Sequence, residues 1–275
     1  MPAAKSLSSV RSKSTHWIER LARVGYVAKA VLYATIGALA ARAAVGAGGA
    51  ATDTRGAMAT VLQAPFGRVL LIPIALGLIG YAAWRILEAI VDPERRGHDV
   101  RGLAVRASYL ARGVVHLGLA YTAVRFAIGQ RSSSSGGGER SKEATATAFQ
   151  YPGGDWLVWT VAIAIAGYGA YQLYRAVTAK LSEQIDTGAA SSEAGAWVIG
   201  VSRVGIAARG IVFLAIGWLL ARAAAGHDAN RAGGIGDALR TLADLGRWPF
   251  AAIALGLVAY GAYQLVNARY RRMSG

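Results

Sequence analysis

Six long apolar blocks constrain the fold of this chain more than any other feature of its sequence. Each is 21 to 23 residues long, with few ionisable residues, most of them near its ends. The blocks are 25–45, 69–91, 107–129, 156–178, 204–225 and 248–268. About 20 apolar residues in a helix cross a hydrocarbon core of roughly 30 Å. The sequence therefore predicts an all-α polytopic membrane protein with six transmembrane helices.

The composition excludes several other classes of protein. With 54% hydrophobic and 16% charged residues, the chain is too apolar to be disordered. It has no cysteine, which excludes a disulfide scaffold and a cysteine-ligated metal or cluster. A net charge of +15 would suggest nucleic-acid binding in a soluble domain. Because the apolar blocks place the chain in a membrane, we expect anionic lipid rather than nucleic acid beside these cations.

The chain contains three internal repeats. Aligning Arg23 with Arg106 and Arg203 brings three segments into register without a gap: 21–46, 104–129 and 201–226. The even-numbered helices repeat as well, with GYAAWR at 80–85, GYGAYQ at 167–172 and AYGAYQ at 259–264. Repeats with an even number of spans all insert in the same orientation. We therefore predict three tandem helical hairpins around a pseudo-threefold axis along the membrane normal.

These motifs resemble a bacterial family catalogued as domain of unknown function 1206, whose members carry three paired-helix units. The resemblance rests on R-x-x-Y-x-x-[KR], G-A-[ML], P-F-G-R and G-Y-x-x-[WY], and covers the chain from about Trp17 to Arg272. Repeat two departs from it, with Pro152-Gly-Gly-Asp155 in place of P-F-G-R, and repeat three has Ile206 in place of the Tyr. The resemblance implies a fold and a membrane location, but no activity.

The expected organisation is a disordered cytoplasmic N-terminus at 1–16, then repeat 1 at 17–97, repeat 2 at 98–182 and repeat 3 at 196–272. Eighteen Lys and Arg fall on the side of the N-terminus and eleven on the other. This bias predicts a bacterial inner (plasma) membrane protein with both termini cytoplasmic. The first block recurs twice and is too long for a signal peptide. In the outer loops we expect short helices at 56–63 and 236–243, and a flexible linker at 131–142.

A basic triplet is the first candidate site. Lys29, Arg112 and Arg209 each lie six residues, about 9 Å, beyond the Arg that opens its segment. Their side chains either extend to the lipid headgroups or form a ring around the predicted axis. Such a ring would attract an anion, a lipid headgroup or an acidic segment of a protein partner, and Arg175 would add to it.

A polar and aromatic stripe accompanies the triplet in the predicted cytoplasmic half. Its members are Tyr26, Tyr33, Tyr81, Trp84, Glu88, Tyr109, His116, Tyr168, Tyr171, Gln172, Tyr260, Tyr263 and Gln264. An aromatic belt with interhelical hydrogen bonds is the alternative interpretation. The repeats also differ, because Lys29 is placed to pair with Glu88, whereas Arg112 would lie near Arg175 and need an anion or water between them.

No motif for catalysis, metal ligation or cofactor binding stands out. The four His are scattered, and Glu88 is the only acid inside a predicted span. We therefore expect no catalytic residues, no metal and no cofactor. The leading hypothesis is a non-enzymatic membrane module that binds lipid or a partner, and the alternative is a channel or facilitator for a small solute along the axis.

Overall fold

The computed structural model of the chain describes residues 3–92, 97, 99–130, 136–178 and 193–270, and this part of the chain is helical without strands. The α-helices in it are α1 (Ala3–Ala44), α2 (Thr54–Gln63), α3 (Gly67–Val91), α4 (Val100–Ala127), α5 (Gly137–Phe149), α6 (Gly154–Thr178), α7 (Glu193–Ala225), α8 (Ile235–Ala243) and α9 (Arg247–Tyr270). A short 3-10 helix, η1 (Ala229–Arg231), lies between α7 and α8. The predicted all-α class is confirmed for the described residues.

Five helices hold segments that are long and apolar enough to cross a membrane. These segments are Arg23–Ala44, Gly67–Val91, Gly154–Thr178, Trp197–Ala225 and Arg247–Tyr270. The remaining predicted span, 107–129, falls in α4, which is helical but not among the five. Arg112, His116 and Arg125 lower the mean hydropathy of that block. A multi-pass composition is therefore shown, and α4 is the long helix in the described part without a segment that is apolar enough by this measure.

The N-terminal end of α1 differs from the sequence prediction. We expected disorder at 1–16, whereas the backbone is helical from Ala3 onward and continues into the first candidate span. Residues 1–2 lie outside the described part of the chain.

The chain divides into two compact units. Unit 1 comprises Met1–Lys29, Leu62–Ser132 and Gln264–Gly275, and unit 2 comprises Ala30–Val61 and Ser133–Tyr263. Unit 1 thus contains the first part of α1, all of α3 and α4, and the end of α9. Unit 2 contains the rest of α1, most of α2, α5 to α8 and most of α9. The predicted repeat 2 contributes α4 to unit 1 and α6 to unit 2, and its last residues, 179–182, lie outside the described part.

In unit 1, small residues let three helices approach closely. A Cβ added to Gly77 of α3 would lie 2.7 Å from the carbonyl oxygen of Val24 in α1. A Cβ added to Gly113 of α4 would lie 2.6 Å from the Ile86 side chain and 3.2 Å from the carbonyl oxygen of Ala82, both in α3. Glycine at these positions allows the close packing typical of membrane helices.

In unit 2, the corresponding positions form two further contacts. A Cβ added to Gly169 of α6 would lie 2.8 Å from the carbonyl oxygen of Gly210 in α7. A Cβ added to Gly261 of α9 would lie 2.9 Å from the carbonyl oxygen of Ala30 in α1. Gly169 and Gly261 align with Ala82 of unit 1. The contact between an even-numbered span and the next odd-numbered one therefore recurs, with α1 following α9.

Three short helices of unit 2, α2, α5 and α8, meet at their N-terminal ends and form what we call the cap. The Asp53 carboxylate accepts hydrogen bonds from the N–H groups of Arg55 (3.1 Å) and Gly56 (2.9 Å) in α2, and from Gly137 at the start of α5. The Asp237 carboxylate of α8 accepts one from the Gly234 N–H at 2.8 Å. Two carboxylates thus satisfy backbone donors at three helix N-termini.

The cap confirms two loop predictions and corrects a third. Short helices were expected at 56–63 and 236–243, where α2 and α8 lie. The flexible linker expected at 131–142 is wrong for its second half, because α5 begins at Gly137, while residues 131–135 lie outside the described part. A Cβ added to Gly138 would collide with the Asp237 carboxylate. This glycine therefore serves close packing rather than flexibility.

Candidate functional site

Aromatic side chains meet at the same aligned positions in three helix pairs. In unit 1 the Tyr81 ring of α3 lies 4.6 Å from the His116 ring of α4. In unit 2 Tyr168 of α6 lies 5.1 Å from Phe213 of α7, and Tyr260 of α9 lies 4.7 Å from Tyr33 of α1 (both centroid to centroid). Each tyrosine belongs to the G/A-Y-x-A motif of an even-numbered span. Part of the stripe predicted from sequence therefore makes interhelical ring contacts in both units.

The unit 1 cluster is built around a buried ion pair between Arg85 and Glu88 of α3. Arg85 Nη1 lies 2.5 Å from Glu88 Oε2, and the side chains are only 4% and 5% exposed. Arg85 Nε also donates to the Tyr81 hydroxyl at 3.1 Å, and Nη2 donates to the Tyr26 hydroxyl of α1 at 3.5 Å. The guanidinium carbon lies 5.1 Å from the centre of the Tyr109 ring of α4. The positive charge of Arg85 is thus compensated within the cluster.

Lys29 and Arg112 lie beside this ion pair in unit 1. The Lys29 side chain is 7% exposed, and its ammonium sits 4.2 Å from the centre of the Tyr81 ring. Arg112 is half-buried, with its guanidinium 5.9 Å from the Tyr109 ring of its own helix. The burial of Lys29 does not fit the interpretation that it extends to the lipid headgroups. Glu88, the acid that was expected to pair with Lys29, lies 2.5 Å from Arg85 Nη1 through its Oε2, and a pairing of Lys29 with Glu88 stays a prediction.

The Arg209 cage is the corresponding cluster of unit 2. Arg209 Nη1 donates to the Tyr168 hydroxyl at 2.9 Å, and Nε donates to the Tyr33 hydroxyl at 3.2 Å. The guanidinium carbon also lies 4.5 Å from the centre of the Phe213 ring and 5.0 Å from that of Tyr260. Rings from α1, α6, α7 and α9 therefore surround one cation. Among the described residues no carboxylate contacts it.

Gln172 lies next to the Arg209 cage, one helical turn beyond Tyr168 on α6. Its side chain is 3% exposed, and its Oε1 has no hydrogen-bond partner in the described part of the chain. The Gln172 Cβ lies 3.2 Å from the position that a Cβ on Gly210 would occupy, directly after Arg209. In unit 1 the aligned Gln264 accepts a bond from Asn267 at 3.4 Å. Unit 2 thus has an unsatisfied buried acceptor beside its uncompensated cation.

Four other predicted residues lie at the margin of these clusters. Trp84 is half-buried on α3, and Tyr263 is buried 5.8 Å from the Tyr260 ring. Tyr171 is 54% exposed, and Arg175 is half-buried with its guanidinium 6.0 Å from that ring. The choice between a site and an aromatic belt stays a prediction for Tyr171 and Arg175.

The arginines that open the repeats have a role that the sequence analysis did not assign. Arg106 Nε donates to the Ala89 carbonyl at 2.8 Å and Nη2 to the Ile90 carbonyl at 3.3 Å, at the end of α3. In unit 2, Arg203 Nε donates to the Ala176 carbonyl at 2.7 Å, and Nη2 donates to Val177 near the end of α6. These contacts satisfy free carbonyls at a helix C-terminus. The alignment of the two arginines was the available signal.

Arg85 is the main residue that sequence reasoning left out of the site. It shares a helix face with Tyr81 and Glu88 but was not assigned to the site, yet it holds together the unit 1 cluster. The aligned positions are Gln172 and Gln264. A charge in one repeat where the others have an amide was a usable signal, because a buried charge requires a partner.

Comparison with known proteins places the chain in a family. The family model described as Domain of Unknown Function (DUF1206) matches it three times, at residues 24–92, 107–179 and 204–271. The chain is also 32% identical over 270 residues to the "Uncharacterized protein YxxB" of Bacillus subtilis (strain 168), covering 98% of this chain and 96% of that protein. No solved structure matches it. Three family matches across the apolar repeats show that the chain belongs to the DUF1206 family.

Proposed function

We propose that the chain is a non-enzymatic module of the bacterial inner membrane that binds the anionic headgroup of a lipid at the Arg209 cage. The observation that carries the proposal is the positive charge of Arg209, which has two tyrosine hydroxyls and four rings around it but no carboxylate among the described residues. A lipid phosphate would supply the missing negative charge.

The physical argument is the cost of placing a charge in an apolar medium. Isolated charges away from water are strongly unfavourable, and intramembrane arginines pair with acids or face polar cavities. A cation over an aromatic face gains about 0.5–2 kcal/mol, which offsets part of this cost without neutralising the charge. Arginine can bind phosphate through two of its nitrogens. In Arg209, Nε and Nη1 donate to tyrosine hydroxyls, and Nη2 makes no hydrogen bond within the described residues.

Gln172 narrows the choice of headgroup. An unsatisfied buried acceptor costs about 1–3 kcal/mol, so a ligand that brings a donor gains by bonding it. Phosphatidylglycerol carries both a phosphate for Arg209 and hydroxyl donors for Gln172 Oε1. We therefore take phosphatidylglycerol as the test ligand.

For the membrane arrangement, we propose six spans in three tandem hairpins around a pseudo-threefold axis, with both termini cytoplasmic. The supporting observation is the repeated contact of α3 with α4, α6 with α7 and α9 with α1 at aligned positions. Here α4 is the sixth span, because several of its polar residues, His116 among them, face α3 rather than lipid. In this topology the Arg209 cage lies in the cytoplasmic half, beside the anionic inner leaflet.

The test compares lipid binding by the purified full chain and by R209Q. Native mass spectrometry should show retained phosphatidylglycerol on the wild type and little on R209Q. Added phosphatidylglycerol should raise the thermal midpoint of the wild type in detergent, whereas phosphatidylcholine should not. R269Q is the matched control, since Arg269 is an exposed cation on the same predicted side. Equal phosphatidylglycerol binding by R209Q and wild type would refute the proposal.

A channel for a small solute along the axis is the alternative. Solute flux into proteoliposomes above that of empty liposomes would favour the channel. Flux equal to empty liposomes, together with retained phosphatidylglycerol, supports the binding module.

A further inference from the structure

A polar cavity lies in unit 2 beside the cap, and its lining shares no residue with the Arg209 cage. It has a volume of about 310 Å³ and lies between α5, α7, η1 and α8. Leu219 and Arg222 of α7 line one wall, and Asn230, Thr241 and Asp244 line the others. This volume is at the lower end of the range for small-molecule sites. It suits a headgroup rather than a whole lipid.

Most charges around this cavity are already paired. Lys142 lies 2.9 Å from Glu139, Arg231 lies 3.1 Å from Asp228, and each pair is three residues apart on one helical segment. Arg240 lies 2.6 Å from Asp237. Burial alone would raise the pKa of Asp237, but the Gly234 N–H and the Arg240 guanidinium lower it, so this carboxyl stays ionised at neutral pH. These groups neutralise one another.

Two opposite charges at the cavity, both on exposed side chains, have no partner among the described residues. Neither Arg222 nor Asp244 has a hydrogen bond or ion pair from its side chain within the described residues. Arg222 differs in this from its aligned counterparts. Arg42 Nη2 donates to the Ala47 carbonyl at 3.1 Å, and Arg125 Nε donates to Gln130 Oε1 at 3.1 Å. One guanidinium and one carboxylate therefore remain available to a ligand.

We propose that this cavity binds a phosphate–ammonium zwitterion of the phosphoethanolamine type, with its phosphate on Arg222 and its ammonium on Asp244. Arginine matches the geometry of a phosphate, and a primary ammonium donates up to three hydrogen bonds to a carboxylate and its neighbours. Asn230 and Thr241 supply neutral hydrogen-bonding groups in the same wall. Arg222 lies in the last turn of α7, where the predicted topology places the outer headgroup region.

The experiment measures binding of phosphoethanolamine from two sources to the full chain. Nanodiscs of phosphatidylcholine with and without phosphatidylethanolamine test a membrane source, and soluble phosphoethanolamine tests a free one. We expect phosphoethanolamine to bind in at least one of the two experiments. R222Q and D244N should each weaken that binding about tenfold, equivalent to about 1.4 kcal/mol. R247Q, which removes an exposed cation at the start of α9, is the control and should bind as wild type.

The outcomes separate this site from the Arg209 cage. R209Q should keep phosphoethanolamine binding, and R222Q should keep phosphatidylglycerol binding. Binding in the nanodisc arm alone identifies the lipid headgroup, and binding in the soluble arm identifies a free compound. Failure of both arms, or wild-type binding by both R222Q and D244N, would overturn the proposal without touching the role of Arg209.

Discussion

Arg85 of unit 1 and Arg209 of unit 2 are both arginines inside candidate membrane spans, and both donate hydrogen bonds to tyrosine hydroxyls. They differ in one group, because Glu88 pairs with Arg85 whereas no described carboxylate contacts Arg209. Related repeats thus hold a cation in two ways. One neutralises it internally, and the other leaves its counter-charge to come from outside the chain. Removing the carboxylate beside Arg85, or adding one beside Arg209, tests this comparison.

The largest expected effect comes from making unit 1 resemble unit 2. E88Q removes the carboxylate from a pair whose side chains are about 95% buried. Breaking a buried pair by removing one partner costs about 3–5 kcal/mol, so the thermal midpoint in detergent should fall sharply. Part of the loss should return on adding phosphatidylglycerol, because Arg85 then lacks its own counter-charge.

The double variant R85M/E88L is the control for E88Q. Replacing both members of a buried pair with apolar side chains of similar volume is often neutral, so this variant should unfold near the wild-type midpoint. An E88Q midpoint equal to that of the wild type would mean that the pair does not compensate Arg85.

A smaller effect is expected from making unit 2 resemble unit 1. F213E places a carboxylate within reach of Arg209, since the Phe213 ring lies 4.5 Å from the guanidinium carbon. The midpoint of F213E should no longer rise with phosphatidylglycerol, a rise worth about 2.7 kcal/mol at a hundredfold excess over Kd. F213Q has a similar shape without the charge and should keep the lipid response. If F213E and F213Q respond alike, the charge of Arg209 is not what recruits lipid.

The smallest effect is expected from a single hydroxyl. Y168F removes the acceptor of the 2.9 Å bond from Arg209 Nη1 and keeps the ring. A hydrogen bond to a charged group is worth about 1.5 kcal/mol or more, so the midpoint should drop slightly and phosphatidylglycerol affinity should change. Y171F is the matched control, because Tyr171 is 54% exposed on the same helix. Identical melting and lipid titration of both variants would exclude a positioning role for the Tyr168 hydroxyl.

Much of the fold follows from hydrophobic length and repetition, which are local properties of the chain. Five of the six apolar blocks contain candidate spans, and the alignment of Arg23, Arg106 and Arg203 anticipated the repeats. The helix α5 was missed because Gly137 and Gly138 have linker composition. These glycines are needed because Gly137 donates to Asp53 and Gly138 packs against Asp237, and both carboxylates lie far away in sequence.

The sequence predicted which residues of the candidate site share a helix face, but not which helices bring those faces together. The columns of Lys29, Arg112 and Arg209 were found by alignment, but their partners depend on which helices come together. The Tyr33 hydroxyl accepts a hydrogen bond from Arg209, 176 residues later in the chain, which no local pattern reveals. The pairing of Arg85 with Glu88 was within reach, since a three-residue spacing puts both on one helix face.

The parts of the cap are made at widely separated times during synthesis of the chain. Asp53 leaves the ribosome early, Gly137 follows, and Asp237 comes 184 residues after Asp53. At an elongation rate of about 5–20 residues per second, this interval lasts roughly 10–40 s. During that time the N-terminus of α2 has been made, but α8, which completes the cap, has not. A chain cut short before α8 lacks Asp237, so its cap is incomplete even though Asp53 and Gly137 are already present.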